Sequence, residues 1–317
     1  MPKVSVIIPV FGVEHYIERC ARSLFEQTLD DMEFIFVDDC TTDNSIHILE
    51  NIIEQYPLRK KQTIILRHIQ NKGLSHARET GIKKAKGDYI AHCDSDDWVE
   101  SNMYDTMYNF AINNGYDYVK CAYRKTAGID DGVIYHASVS SDMSKEHVIS
   151  LMFQMKGWNS VWDSIVKREI YQKANLVFTD NAMFEDFFIT SQLLLHAEKI
   201  GYLNIPFYNY YVNADSICNR PSVEFYVKRA RQAKDNVDWI ISNIRSKMNV
   251  SQVDITTIKW GVKNILIPIM DERENKQFWN EIYPEIKYRV CVLNTISWRN
   301  KLRFYSAEYN FYKYFKR

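Results

Sequence analysis

Short apolar runs alternate with amphipathic stretches over the first 125 residues. Val4 to Val10 is β-branched and apolar at successive positions, which predicts a strand covered on both faces. From Glu14 to Gln27 the apolar residues Tyr16, Ile17, Cys20, Leu24 and Phe25 recur at helical spacing. The alternation continues with strand Phe34–Val37, helix Asn44–Tyr56, strand Thr63–Leu66, helix Leu74–Ala85 and strand Tyr89–Cys93. A helix capped by Ser101 then runs to Asn113, and Tyr118–Tyr123 is a further strand. Strands separated by helices of this length predict right-handed crossovers and an α/β, Rossmann-like, mostly parallel sheet flanked by helices. Ligands of such sheets bind beyond the carboxyl ends of the strands. Chemistry is therefore sought at Pro9 to Glu14, Asp38-Asp39, the Asn71-Lys72-Gly73 turn and Asp94 to Asp97.

From about residue 140 the texture changes. Ser144–Met155 and Glu185–Ala197 read as helices, with aromatic-rich segments Trp158–Val166 and Phe207–Tyr211 around them. After Ser222 the pattern is almost wholly helical, so the chain divides into residues 1–220 and a helical C-terminal region, 221–317.

Composition narrows the function. The 317 residues carry 40 Lys plus Arg against 40 Asp plus Glu, a balance that argues against a general nucleic-acid binder. No run approaches about 18 apolar residues, so no transmembrane helix is expected. The start lacks a small-residue cleavage site and breaks at Pro9, which points to a cytoplasmic chain. The six cysteines have no close-spaced pair and read as reduced, mostly buried thiols. Cys93 lies beside acids that oppose thiolate formation. No G-x-G-x-x-G follows the first strand and no G-x-x-x-x-G-K-[ST] occurs, against a Rossmann dehydrogenase or a P-loop NTPase.

Asp94-Ser95-Asp96-Asp97 crowds three carboxylates into four residues just past a strand. Like charges that close raise one another's pKa unless a cation neutralises them. A hard divalent ion fits, since Mg²⁺ or Mn²⁺ takes a few carboxylates plus substrate phosphates; the alternative is a solvated acidic turn capping a helix at Trp98. Asp38-Asp39 ends another strand, where a carboxylate can accept from a base or a ribose, while Asp43 or Asn44 can cap the next helix. His92 precedes the acidic run, and strand alternation favours a structural role for it.

The ordered set Ser5-Val6-Ile7-Ile8-Pro9-Val10, Glu14 with Tyr16-Ile17, Ser23 to Thr28, Val37-Asp38-Asp39, Asn71-Lys72-Gly73, Ala77-Arg78, Gly87 to Trp98, Val161-Trp162 and Phe184-Glu185-Asp186 resembles glycosyltransferase family 2, over roughly residues 3 to 215. The resemblance implies a GT-A fold and an inverting transfer of a sugar from a nucleotide sugar, UDP-sugar, to a glycan or lipid-linked acceptor in bacterial surface or capsular polysaccharide synthesis. It divides the first domain into a nucleotide-binding half, about 1–125, and an acceptor half, about 126–220. Pro9, Val10 and Phe11 become the base wall, and Glu14 and Asp39 partners of base and ribose. Lys72 and Arg78 become the cationic side of the nucleotide pocket. Asp94 and Asp96 match the D-x-D, Asp96 as metal ligand and Asp94 nearer ribose and donor sugar, with Asp97 an extra contact. Asp186 becomes the general base, with Glu185 beside it. An acid at that helix start also complements the helix dipole. Trp158 and Trp162 are acceptor-stacking candidates or core aromatics.

Some positions depart from the family pattern. Gly12 replaces a common Asn, Cys40-Thr41-Thr42 replaces Gly-Ser-Thr, Glu79 replaces an Asn, and Asp163-Ser164 follows Trp162 where Asn-Lys is usual. The segment Tyr208 to Ile217 lacks the Arg or His that often follows it, leaving Arg220 or Lys228 as substitutes. The last 34 residues hold eight Lys/Arg, two acids and nine aromatics. That composition suits either peripheral contact with the inner face of the plasma membrane or a helical cap on the catalytic domain. A non-catalytic nucleotide-sugar-binding subunit of a polysaccharide assembly complex is the competing reading of the whole chain.

Overall fold

The apolar run Val4–Val10 forms strand β1, buried at every position, and the strand order grows outward from it. A computed structural model describes residues 1–128, 132–136, 144–179, 184–212, 222–270 and 275–309. Further strands are β2 (Met32–Asp38), β3 (Thr63–Arg67), β4 (Tyr89–His92), β5 (Trp98–Val99), β6 (Tyr118–Thr126), β7 (Val133–Tyr135), β8 (Ser164–Lys167) and β9 (Ile200–Tyr211). The helices are α1 (Ile17–Phe25), α2 (Ser45–Gln55), α3 (Pro57–Lys60), α4 (Leu74–Lys84), α5 (Met103–Asn114), α6 (Lys145–Phe153), α7 (Arg168–Ala174), α8 (Glu185–His196), α9 (Val223–Arg245), α10 (Gln252–Asn264), α11 (Lys276–Glu281) and α12 (Trp298–Tyr309).

The sheet runs β3-β2-β1-β4-β8-β6-β9-β5, with β7 against β6. Its first half is parallel, as the βα alternation predicts. The second half is mixed, which corrects the expectation of a mostly parallel sheet. β8 inserts between β4 and β6 and runs antiparallel to both, while β6 and β9 are parallel. Trp98 starts no helix. It lies in two-residue β5, antiparallel to β9, and the following helix begins at Met103 with Asn102, not Ser101, at its cap. A two-residue strand carries too little periodicity to be read from sequence.

Two apolar clusters flank the sheet. One joins α1, α2 and α5 to the sheet. The other continues from Ile7 and Ile35 through α6 and α8 into the C-terminal helices as far as Ala307, so burial is shared across the boundary expected at residue 220. There α9 packs on α8, and α10 on α6 and α9. Trp279 and Phe304 are buried in that layer, as the cap alternative requires, whereas Lys313, Lys316 and Arg317 lie outside the described residues. Among the described residues no helix is long and apolar enough to cross a membrane.

Candidate active site

At the carboxyl rim of the parallel strands, the loop after β1 and the loop after β2 are laced together. Asn44 donates from both its backbone and its side chain to Glu14 Oε2, at 3.0 and 3.1 Å, and Glu14 N–H returns a bond of 2.9 Å to Asp43 Oδ2. Gly12 N–H donates to Thr41 Oγ1 at 2.9 Å. Asp43 Oδ1 also accepts from Ser45 N–H at 3.1 Å, so Asp43 serves the start of α2 while Asn44 makes no side-chain cap. Cys40, standing where the family pattern has glycine, adopts φ +60°. Of the expected base wall, Pro9 and Val10 are buried in β1 and Phe11 offers its ring, 52% exposed.

Asp39 is buried and fully engaged. Its Oδ1 accepts from Lys72 N–H at 2.8 Å and from His68 Nδ1 at 2.7 Å, and its Oδ2 accepts from Gly73 N–H at 2.7 Å. The carboxylate therefore fixes the Asn71-Lys72-Gly73 turn and leaves the Lys72 side chain exposed. Lys72, with Arg67, His68, Ile69 and Gln70, lines a cavity of about 410 Å³ beside that turn.

Deeper, α4 delivers Arg78, which is fully buried. Its guanidinium donates to Asp94 Oδ1 at 2.8 Å and to Asp186 Oδ1, and Glu185 Oε1 lies 3.5 Å away. Three acids from two distant segments thus converge on one cation. Burial would lower the Arg78 pKa, but the charges of Asp186, Asp94 and Glu185 hold it above its usual value. Desolvation lifts Glu185 to about 8, with the neighbouring Asp186 charge adding to it. Desolvation likewise lifts Asp186, to about 6, against the pull of Arg78. Phe184 precedes them at φ +62°, a left-handed turn that starts α8 and aims both acids at Arg78. The Asp186 side chain keeps 21% of its surface exposed, enough for a ligand atom to reach it.

The D-x-D turn is held from behind. Tyr208 Oη accepts from Asp94 N–H at 3.0 Å and donates to Asp97 Oδ2 at 2.7 Å, while Tyr211 N–H donates to Asp97 Oδ1 at 2.7 Å. Asp97 is thus an inward-facing strut rather than a ligand contact, and burial with the nearby Asp96 charge pushes its pKa well up. Arg19 from α1 donates to Asp96 O at 2.8 Å and stacks on Trp98 at 3.8 Å and Tyr211 at 4.6 Å. Sequence reasoning missed Arg19 and Tyr208. Helical spacing marks Arg19 as next to a core position, without saying which strand end it meets.

The aromatic candidates lie inward. Trp158 has 0% exposure and packs on Tyr118 and Tyr202, so it presents no face to an acceptor and the core alternative describes it. Trp162 is buried and stacks on Tyr208 at 4.4 Å, one layer behind the D-x-D. His92 is buried beside Tyr171, and burial followed by the Arg78 charge keeps it neutral. Buried Cys93 has its pKa raised well up, first by its contact with Cys20 and then by burial, as the reading of an unreactive thiol expects. Lys228 is exposed on α9; Arg220 and the segment from Asn213 to Ile217 lie outside the described residues.

Asp94 and Asp96 are the two carboxylates of the Asp94–Asp97 turn that face the rim. Both are partly exposed oxygen ligands at the rim, and no set of three acidic, His or Cys donors occurs among the described residues. Two protein carboxylates fit a cation whose other ligands come from a diphosphate and water. A larger cavity, about 460 Å³, lies by Asp117, Lys173, His196 and Lys199 and holds none of these residues. Asp117 sits at the amino end of β6, the rim opposite the acids.

Comparison with known proteins identifies the family and the fold. The chain matches the pattern of "Glycosyl transferase family 2" over residues 5–189. It is 32% identical over 248 residues to the uncharacterized glycosyltransferase EpsJ of Bacillus subtilis, a span covering 74% of this chain and 69% of that one. S. aureus TarS 1-349 in complex with UDP-GlcNAc aligns with TM-score 0.61 and 16% identity, covering 98% of this chain and 92% of that one. The mannosyltransferase PcManGT of Pyrobaculum calidifontis, in complex with GDP-Man and Mn²⁺, aligns with TM-score 0.56 and 14% identity over 97% of this chain and 79% of that one. At those identities the two structures speak for the fold, the GT-A arrangement expected from sequence.

Proposed function

Since the chain belongs to glycosyl transferase family 2, we propose that it is an inverting enzyme that moves a sugar from a UDP-sugar to a hydroxyl of a glycan or lipid-linked acceptor. The product belongs to a bacterial surface or capsular polysaccharide, made on the cytoplasmic side. One observation carries the reading: Arg78 ties Asp94 of the D-x-D to Asp186, 92 residues downstream (186 − 94), at a partly exposed rim.

In this reading Phe11 stacks on the base, beside Pro9 and Val10, and Lys72 faces the phosphates. Glu14 and Asp39 line the base and ribose end and, through their present bonds, hold the loops that shape it. Asp96 and Asp94 would hold Mn²⁺ or Mg²⁺, which would supply positive charge for the departing diphosphate. An acceptor hydroxyl is a weak nucleophile, so Asp186 takes its proton as the new bond forms. Attack from the face opposite the leaving group inverts the anomeric centre. Glu185, held protonated near neutral pH, lets Asp186 carry the negative charge of the pair. Trp162 bears on an acceptor only through Tyr208 and the turn it supports.

Incubation with a panel of UDP-sugars and Mn²⁺ tests this. Slow release of UDP from one donor, absent in Asp96→Ala, is the expected result. A chain that binds UDP-sugars but never turns them over, with any acceptor extract, is instead the binding subunit of an assembly complex.

A further inference from the structure

Among the described residues, the C-terminal layer buries one side of α12 and leaves the other partly exposed. Phe304 and Ala307 point into the core. Trp298, Leu302 and Tyr309, spaced four and seven residues apart, share the opposite face and are 66%, 47% and 50% exposed. The preceding segment extends this face. Lys301 Nζ donates to Cys291 O at 2.9 Å, and Tyr305 Oη bonds to Cys291 N–H and Lys287 O, both at 3.0 Å, so residues 287–292 lie along the helix. Tyr288 and Val292 stand out from that segment, 77% and 73% exposed.

Charge decides what such a face meets. Arg289, Arg299 and Arg303 are exposed around the apolar residues, and none pairs with a described carboxylate. No acid occurs between residues 288 and 307. The flanking acids are turned away: Glu285 pairs with Lys259 at 2.6 Å, and Glu308 accepts from Trp279 Nε1 at 2.6 Å. A second copy would bring arginines against arginines. Amphipathic aromatics interleaved with cations that no described carboxylate pairs match the interfacial zone of a bilayer carrying anionic headgroups.

We propose that α12 and the Tyr288–Val292 segment form a docking surface for an anionic phospholipid bilayer, holding the enzyme at the membrane by its C-terminal layer. The proposal is independent of the transferase reading, because membrane binding is measured without any donor sugar.

The test uses the full chain in co-sedimentation with phosphatidylcholine vesicles, with or without about one quarter phosphatidylglycerol. Binding to the anionic vesicles alone, weakening as salt rises, is expected. Arg289→Gln/Arg299→Gln/Arg303→Gln should lower it at least about tenfold, and Trp298→Ser/Leu302→Ser should do likewise, with the melting temperature and UDP-sugar hydrolysis unchanged. Unaltered binding in both variants overturns the proposal, as does equal binding to neutral vesicles. Sedimentation velocity supplies the other outcome: a wild-type dimer that becomes monomeric in Trp298→Ser/Leu302→Ser, with no vesicle binding, assigns the face to a second copy and overturns the membrane.

Discussion

Arg78 donates to Asp186 Oδ1 from one terminal nitrogen while its other terminal nitrogen holds Asp94 at 2.8 Å. One buried side chain thus fixes the spacing between the Asp94–Asp97 turn and the proposed base. Removing it strands three acids around a void. Arg78→Met should destabilise the protein by about 3–5 kcal/mol, the scale for breaking a buried ion pair from one side. It should also raise the Asp186 pKa, since the cation is what opposes desolvation there. Thermal melts at about pH 6 and a pH–rate profile of residual activity check both. A profile that stays in place would show that Arg78 does not set the base.

The base itself makes a second prediction. Asp186 acts only when deprotonated, so kcat/KM should rise with pH through about 6 and then level. Asp186→Asn should cut kcat by about 10²–10⁴ and leave UDP affinity, measured by calorimetry, nearly unchanged. A large loss of UDP affinity instead would move Asp186 from base to nucleotide contact.

How much of this was legible beforehand depended on whether the signal was local. The parallel half was readable because β1, β2 and β3 are each an apolar run with a helix next in the chain, while β4 is an apolar run that ends in the acidic turn. The acidic run Asp94 to Asp97 was readable as carboxylates crowded past a strand end, and the Glu185-Asp186 pair only through the family resemblance. β8 was not, since four residues inside an aromatic segment look the same whether they run parallel or antiparallel. Arg78 could be placed on a helix near the nucleotide, yet its reach to Asp186 depends on how α8 docks, which no sequence period encodes. Asp39 shows the same limit: an acid at a strand end reads as a ligand contact, and here it accepts two backbone N–H groups from a loop more than 30 residues away. Lys120 left a clue that went unused, a lysine inside the apolar strand Tyr118 to Ala122.

Stability of the ligand-free protein should fall with rising pH. In an unfolded chain both carboxyls of the Glu185-Asp186 pair titrate near 4. Folding desolvates them and raises both values, so the folded state holds more protons between about pH 4 and 8. Their contribution is complete below about pH 4 and is lost as pH climbs from there, until about 6 for Asp186 and about 8 for Glu185, by on the order of several kcal/mol in all. Glu185→Gln should flatten that slope in melts from about pH 5 to pH 9. An unchanged slope would mean that Glu185 is ionised in the fold.

Cys40 gives a prediction of opposite sign. Its φ of +60° costs a residue with a side chain about 1–2 kcal/mol. Glycine removes that cost but gives back roughly 0.5–1 kcal/mol in unfolded-chain entropy. Cys40→Gly should therefore stabilise by about 0.5–1 kcal/mol, whereas Cys40→Ala, which keeps the Cβ, should not. Denaturant melts compare the two.

Behind the site, Lys120 on β6 and Asp163 before β8 form an ion pair, 3% and 0% exposed, with Ser160 Oγ 3.0 Å from each. Asp163 stands where the family pattern has Asn, and the compensating cation comes from the neighbouring strand rather than from the next residue. Thr190, one turn after Asp186 on α8, donates to Ser160 O at 3.4 Å, so the pair underlies the helix that carries the base. Either partner alone in that interior is an uncompensated charge, and Lys120→Met should cost about 3–5 kcal/mol. Lys120→Met/Asp163→Leu removes both charges and should regain most of that loss, since apolar replacements of buried pairs are often neutral in stability. Activity separates scaffold from catalysis. If the pair positions α8, the double variant should melt near wild type yet show lower kcat with UDP affinity kept, whereas full activity would make the pair a packing solution and nothing more.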